Sequence, residues 1–128
     1  MPGVRKICDL DVAKYQCVTP DIRTSEVIIT EERIEHIQER HPFDFERYSG
    51  YLREIIENPD YILEDERPGT ALVLKQMEEQ GERFRLALRL LTPMDHPAYK
   101  NSVLTFLKIR EKEWNRLVRN KKILYKAE

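Results

Sequence analysis

The apolar positions of this chain change period along its length. In TEERIEHIQERHP, residues 30–42, Ile34, Ile37 and His41 share one face at about 100° per residue, with Arg33 at its edge. This predicts a short amphipathic helix. Thr30 suits its N-cap, Glu31 and Glu32 suit the positive end of its dipole, and Pro42 disfavours helix at His41. Phe45, Tyr48, Leu52, Ile55 and Ile56 predict a second helix over 45–57, with Asp44 as N-cap, Gly50 as a weak point and Asn58-Pro59 as its stop. The period then switches to two. Residues 61–64 read as a short strand. Residues 70–77 and 83–91 alternate strongly around a turn containing Gly81, which signals a hairpin. Residues 101–110 are partly apolar on both faces, as a central or doubly covered strand would be. A third helix is predicted over 111–120 from Trp114, Leu117 and Val118. KKILYK then reads as a short strand or a tail packed on the body.

Before the first helix the pattern is weaker. Residues 5–18 suggest a small hairpin, 19–25 a linker, and Val27–Ile29 either a third short strand or the lead-in to the first helix. Because helices and strands are segregated, the prediction is one α+β domain. Two N-terminal helices pack on an antiparallel sheet of about four strands, with a C-terminal helix after it. Residues 1–26 form a β prelude and linker, and 27–128 the main body. In the long hairpin, pairing Met77 with Arg83 sets Lys75 opposite Arg85 and Ala71 opposite Arg89. That parity gathers the leucines on one face and leaves the other small, basic and open, as a substrate surface carrying Arg85 and Arg89 would be.

The charge distribution sharpens that reading. Net charge is only −1, but residues 81–128 carry 12 basic and 5 acidic side chains, against 10 and 18 in residues 1–80. The bland alternative is a mixed, solvated surface; the sharper one is a basic face for a polyanion. With 41% hydrophobic and 35% charged residues, the chain fits a globular protein. No apolar run approaches the roughly 20 residues needed to cross a bilayer, so no membrane partner is expected. The first dozen residues lack the apolar core of a signal peptide. Two cysteines, Cys8 and Cys17, could face each other but do not make a disulfide framework. Reduced thiols and a cytoplasmic setting are the expectation.

Several chemistries find no support. His36 and His41 are five apart rather than the four that aligns metal ligands on a helix, and HExxH is absent. A phosphate-cradling glycine loop and a serine nucleophile elbow are also absent. No metal and no cofactor are expected. A histidine at the end of a helix, following two core isoleucines, is a different matter. There His41 sits where core meets solvent, a suitable place for an acid or base, with Arg40 beside it.

The helix IEHIQERHP, the segment ENPDYILED, the strand TALVLK, the strand KNSVLTFLKI and the tail RNKKILY together resemble the phage-associated nucleases of the Barnase–EndoU–colicin–RelE-like (BECR) group. The resemblance covers about residues 27–126. It implies two helices followed by a four-stranded antiparallel sheet, and a metal-independent ribonuclease, either phage-encoded or a toxin effector. It puts functional weight on Arg40, His41, Lys75, Asn101, Ser102 and Thr105, with His36 as a further candidate. Its implied partners are RNA, with tRNA one candidate, and a protein inhibitor or immunity partner. The rival reading is a non-catalytic binding module of the same fold, a virion component or a toxin-neutralising partner.

Metal-free RNA cleavage needs a base for the 2′-OH proton, an acid for the leaving 5′-oxygen and cations for the phosphorane. Histidine, arginine and lysine supply these roles, and serine or threonine hydroxyls can hold phosphate oxygens. Each residue also has a plain reading. His41 can simply cap its helix, His36 can be solvated, Lys75 an ordinary exposed lysine and Thr105 a satisfied core threonine. Their joint occurrence in the expected order favours the functional reading. A convergence of His41, Arg40 and a hydroxyl around an open cleft would separate an enzyme from a binding module.

Overall fold

The computed structural model describes residues 3–128. Strand β1 (Val4–Asp9) leads through the one-turn helix α1 (Val12–Tyr15) to β2 (Glu26–Thr30). Helix α2 (Glu31–Arg40) follows without a break. The segment after it is α3 (Asp44–Tyr48), a 3₁₀ turn (Ser49–Tyr51) and α4 (Leu52–Glu57). Strands β3 (Tyr61–Glu64), β4 (Thr70–Gln76), β5 (Arg83–Arg89) and β6 (Asn101–Ile109) come next, then α5 (Glu111–Asn120) and β7 (Ile123–Lys126).

All seven strands join one sheet in the order β1-β2-β6-β5-β4-β3-β7. The expected four-strand antiparallel core is present as β3 to β6, but it is widened at both edges. The tail becomes β7, paired with β3. The predicted 5–18 hairpin does not form. Its first arm is β1, which pairs with β2, while its second arm is α1, with Asp11 Oδ1 accepting from Lys14 N at 3.3 Å. The sheet is also not wholly antiparallel, since β2 runs parallel to β6.

That parallel pairing is brief, limited to Val27 with Asn101 and Ile28 with Ser102. The chain then turns helical at Thr30, whose Oγ1 accepts from Arg33 N at 3.1 Å as a true N-cap. Helix α2 thus continues the direction of β2 beside the unpaired half of β6. It buries Ile34 and Ile37 in the main core.

The second predicted helix is broken rather than continuous, with a 3₁₀ turn around Gly50. Asp44 is its first residue, not its cap. The cap position belongs to Phe43, which has φ 74°. The Asp44 carboxylate instead accepts from Lys108 N at 3.4 Å, tying the turn to β6.

The long hairpin forms with a register one residue away from the expected one. Gln76 pairs with Arg83, Lys75 with Phe84, Leu74 with Arg85 and Val73 with Leu86. No open face results, because both faces are covered. On one, Val73, Phe84, Leu86 and Phe106 pack with Tyr48, Leu52, Ile55 and Ile56 from α3 and α4. On the other, Leu63, Leu72 and Leu74 pack under Leu117, with Trp114 and Val118 beside them. Separating grease from charge is a valid guide for a sheet with one wet face. It fails here because α5 returns over the second one.

Candidate active site

The cleft begins at the end of α2. His36 and Arg40, four apart, form one strip of the helix, and Ile37 and His41 the next. His41 ends the helix: its N–H donates to Ile37 O at 2.8 Å, and Pro42 prevents another turn. Phe43 then reverses the chain in the left-handed region, and Asp44 N donates back to His41 O at 3.2 Å. His41 is therefore held from both sides, half-buried, at the rim of the core.

Because α2 lies beside the unpaired edge of β6, these side chains meet the α5-covered side of the sheet. His36, Ile37, Arg40 and His41 line a cleft of about 270 Å³ with Arg85 from β5, Thr105 and Leu107 from β6, and Arg67 from the β3–β4 connection. The register explains the company: Arg85 pairs with Leu107 and Ala87 with Thr105, so all four point to this face.

The cations differ in how they are held. Arg67 makes a forked pair with Asp65 at 2.8 and 2.9 Å. Burial alone would raise the Asp65 carboxyl, but the hydrogen bonds from Arg67 outweigh it and hold the group below the usual carboxylate range. Arg85 Nη1 donates to Glu113 on α5 at 3.1 Å. Glu113 is also gripped by Arg116, whose hydrogen bonds hold its carboxyl low. Among the described residues, Arg40, His36 and His41 have no carboxylate partner. The cleft thus carries an excess of positive charge, with Arg40 free to meet an anion.

Other anticipated residues lie elsewhere. The register sends Lys75 to the opposite face, where its Nζ is 3.7 Å from Glu54 and 3.6 Å from Asp60 and its side chain is 12% exposed. It does not reach the cleft. Asn101 is fully buried: its Oδ1 accepts from Leu91 N and its Nδ2 donates to Thr24 O, both at 2.7 Å. It ties two loops to β6. Asn101→Ala should therefore destabilise the fold by about 1–3 kcal/mol for each partner left unsatisfied, measured by urea denaturation. Loss of RNA affinity at unchanged stability would instead place Asn101 against substrate. Ser102 and Arg89 face each other across β5 and β6 and line a separate cavity on the cleft's side of the sheet. His96 lies in the exposed 92–100 loop.

Arg67 and Leu107 were not anticipated. Arg67 arrives through the loop before Pro68-Gly69, and nothing in its local spacing marks it. Leu107 reads as core in any strand pattern. Cys8 and Cys17 are free thiols. Burial and the nearby Glu57 push Cys8 up to about 11, which leaves it unreactive at neutral pH. The described residues contain no cluster of three His, Cys, Asp or Glu side chains placed to hold a metal ion. No described helix is long and apolar enough to cross a membrane.

A helix capped by histidine, laid against a mostly antiparallel sheet with a basic cleft between them, places the chain among α+β proteins. The family model described as "PBECR2: phage-Barnase-EndoU-ColicinE5/D-RelE like nuclease2" matches residues 10–126, and the chain belongs to that family. No curated protein and no solved structure matches it.

Proposed function

We propose that this chain is a metal-independent endoribonuclease whose active site is the α2–β6 cleft. The observation that carries this reading is the convergence of His36, Arg40, His41, Arg85 and Thr105 on one open cleft. One histidine takes the proton from the ribose 2′-OH as its oxygen attacks phosphorus. The other gives a proton to the 5′-oxygen as the P–O5′ bond breaks. His41, the more firmly held of the two, carries the larger share. Arg40 and Arg85 face the charge that develops on the phosphorane, and the Thr105 hydroxyl holds a non-bridging oxygen. Lys75 has no part. The products are a 2′,3′-cyclic phosphate and a free 5′-hydroxyl.

The test is incubation of the purified protein with single-stranded RNA in EDTA, with the termini identified by mass spectrometry. Cleavage that stops in chelator, or ends lacking the cyclic phosphate, would sink the mechanism. No cleavage at any pH would favour the binding-module alternative, although an unplugged cleft argues for the enzyme.

Phosphate contacts displace counterions, so affinity should fall steeply with salt. Arg40→Ala removes a cation without stranding a carboxylate, unlike changes at Arg85 or Arg89, whose partners are Glu113 and Asp95. Arg40→Ala should weaken RNA of different sequences alike and reduce the log–log salt slope by about 1. An unchanged slope would remove Arg40 from the phosphate track.

A further inference from the structure

A cavity of about 550 Å³ opens on the same side of the sheet as the cleft, at the other end of β5 and β6. The two are close. Arg89 and Ser102 form the pair at the cavity's edge, and the next pair on that face is Ala87 with Thr105. At roughly 3.3 Å per strand residue, Ser102 and Thr105 are about 10 Å apart, the reach of one or two nucleotides. Thr30, which caps α2, lines the cavity, while His36, Arg40 and His41 of the same helix line the cleft.

The cavity has an apolar floor from Ile28, Leu90 and Leu91 and an aromatic wall, Tyr99. The loop that carries Tyr99 is held in place. Asp95 accepts from Thr92 N at 2.8 Å, from Thr92 Oγ1 at 3.1 Å and from Arg89 Nη2 at 2.6 Å. Tyr99 is 64% exposed, with the His96 ring 5.6 Å from its own. Polar residues line it too: Ser102, Thr30, whose Oγ1 caps α2, and Glu26, whose carboxylate lies 3.4 Å from Lys100 Nζ. A flat ligand with an apolar face and a polar edge fits this combination. A base in a duplex is stacked and paired, whereas an unpaired base can swing out onto an aromatic side chain.

We propose that this cavity is a subsite for one unpaired nucleobase of the RNA strand, stacked on Tyr99 and flanking the phosphate held in the cleft. The proposal rests on the nuclease reading for its ligand. It predicts that cleavage prefers single-stranded positions and that the base beside the cut influences substrate choice.

The test separates binding from catalysis. A short single-stranded RNA with 2′-fluoro sugars, which lacks the nucleophile, is titrated into wild type, Tyr99→Ala and Tyr99→Phe by fluorescence anisotropy. The same strand built from abasic units serves as the comparison. Loss of one base–aromatic stack should weaken the base-bearing strand roughly 5- to 150-fold in Tyr99→Ala. Tyr99→Phe should retain the affinity, and the abasic strand should bind all three proteins alike. Because Tyr99 is exposed, the melting temperature should not move. Equal affinity of wild type and Tyr99→Ala for the base-bearing strand would overturn the proposal, as would a wild type that binds no RNA. Tyr99-dependent binding by a protein that cuts nothing would keep the subsite and discard the catalytic reading. Cleavage with Tyr99-independent binding would do the reverse.

Discussion

His41→Ala should slow RNA cleavage by about 10²–10⁴-fold, the usual contribution of one general acid or base. The side chain is half-buried at a helix end, and its structural bonds are made by its backbone N–H and C=O. Removing the imidazole should therefore leave those bonds intact and cost less than about 1 kcal/mol of stability. His36→Ala should cost less in rate, because His36 lies within the helix rather than at its anchored end. If His41 transfers a proton in the reaction, the pH dependence of the wild-type rate should change in His41→Ala. Single-turnover cleavage of wild type and both variants, with melting temperatures alongside, decides the matter. A folded His41→Ala protein that cuts at the wild-type rate would remove His41 from the chemistry.

Phe84→Ala should have the largest effect on stability, about 3–5 kcal/mol, out of a total of roughly 5–15 kcal/mol for a domain of ordinary stability. Phe84 is fully buried at the centre of an aromatic cluster. Its ring centre is 5.0 Å from Tyr48, 5.6 Å from Tyr51 and 5.5 Å from Phe106. Tyr48 ends α3 and Tyr51 lies in the 3₁₀ turn, so this ring supports the segment that follows the His41–Pro42 bend. The loss combines the transfer of the ring into water with the cavity left among three other rings. Urea denaturation measures it. A loss below about 1 kcal/mol would mean that the cluster relaxes to fill the gap. At temperatures where the variant stays folded, its cleavage should keep the wild-type pH profile, which separates a packing defect from a chemical one.

Local signals located the helix that carries the candidate site. The Thr30 cap, the Glu31–Glu32 pair, the Ile34/Ile37 stripe and Pro42 all act within one helix, and all are written in adjacent residues. The strands β4, β5 and β6 and the helix α5 were legible for the same reason: their periods are strong and their ends are marked. The failures share a different cause. AKYQCV alternates weakly, and its helical turn is settled by the Asp11 cap and by Tyr15, which is fully buried and donates to Ile56 O at 2.7 Å. The single helix expected over 45–57 is divided by the 3₁₀ turn Ser49–Tyr51, which contains the helix-weakening Gly50.

The candidate site divides in the same way. The sequence by itself determined that Arg40 and His41 stand at a helix end beside a core face, because capping, periodicity and proline geometry are short-range effects. Only the tertiary structure decided what they face. A hairpin register one residue from the expected one moved Lys75 to the far side of the sheet and set Arg85 with Thr105 and Leu107. The brief parallel pairing of β2 with β6 laid α2 against the open strand edge, and the β3–β4 connection delivered Arg67. Register depends on which faces other elements cover, and here α5, which begins at Glu111, far beyond the end of β4 at Gln76, covers the face that an alternation pattern alone would leave to water.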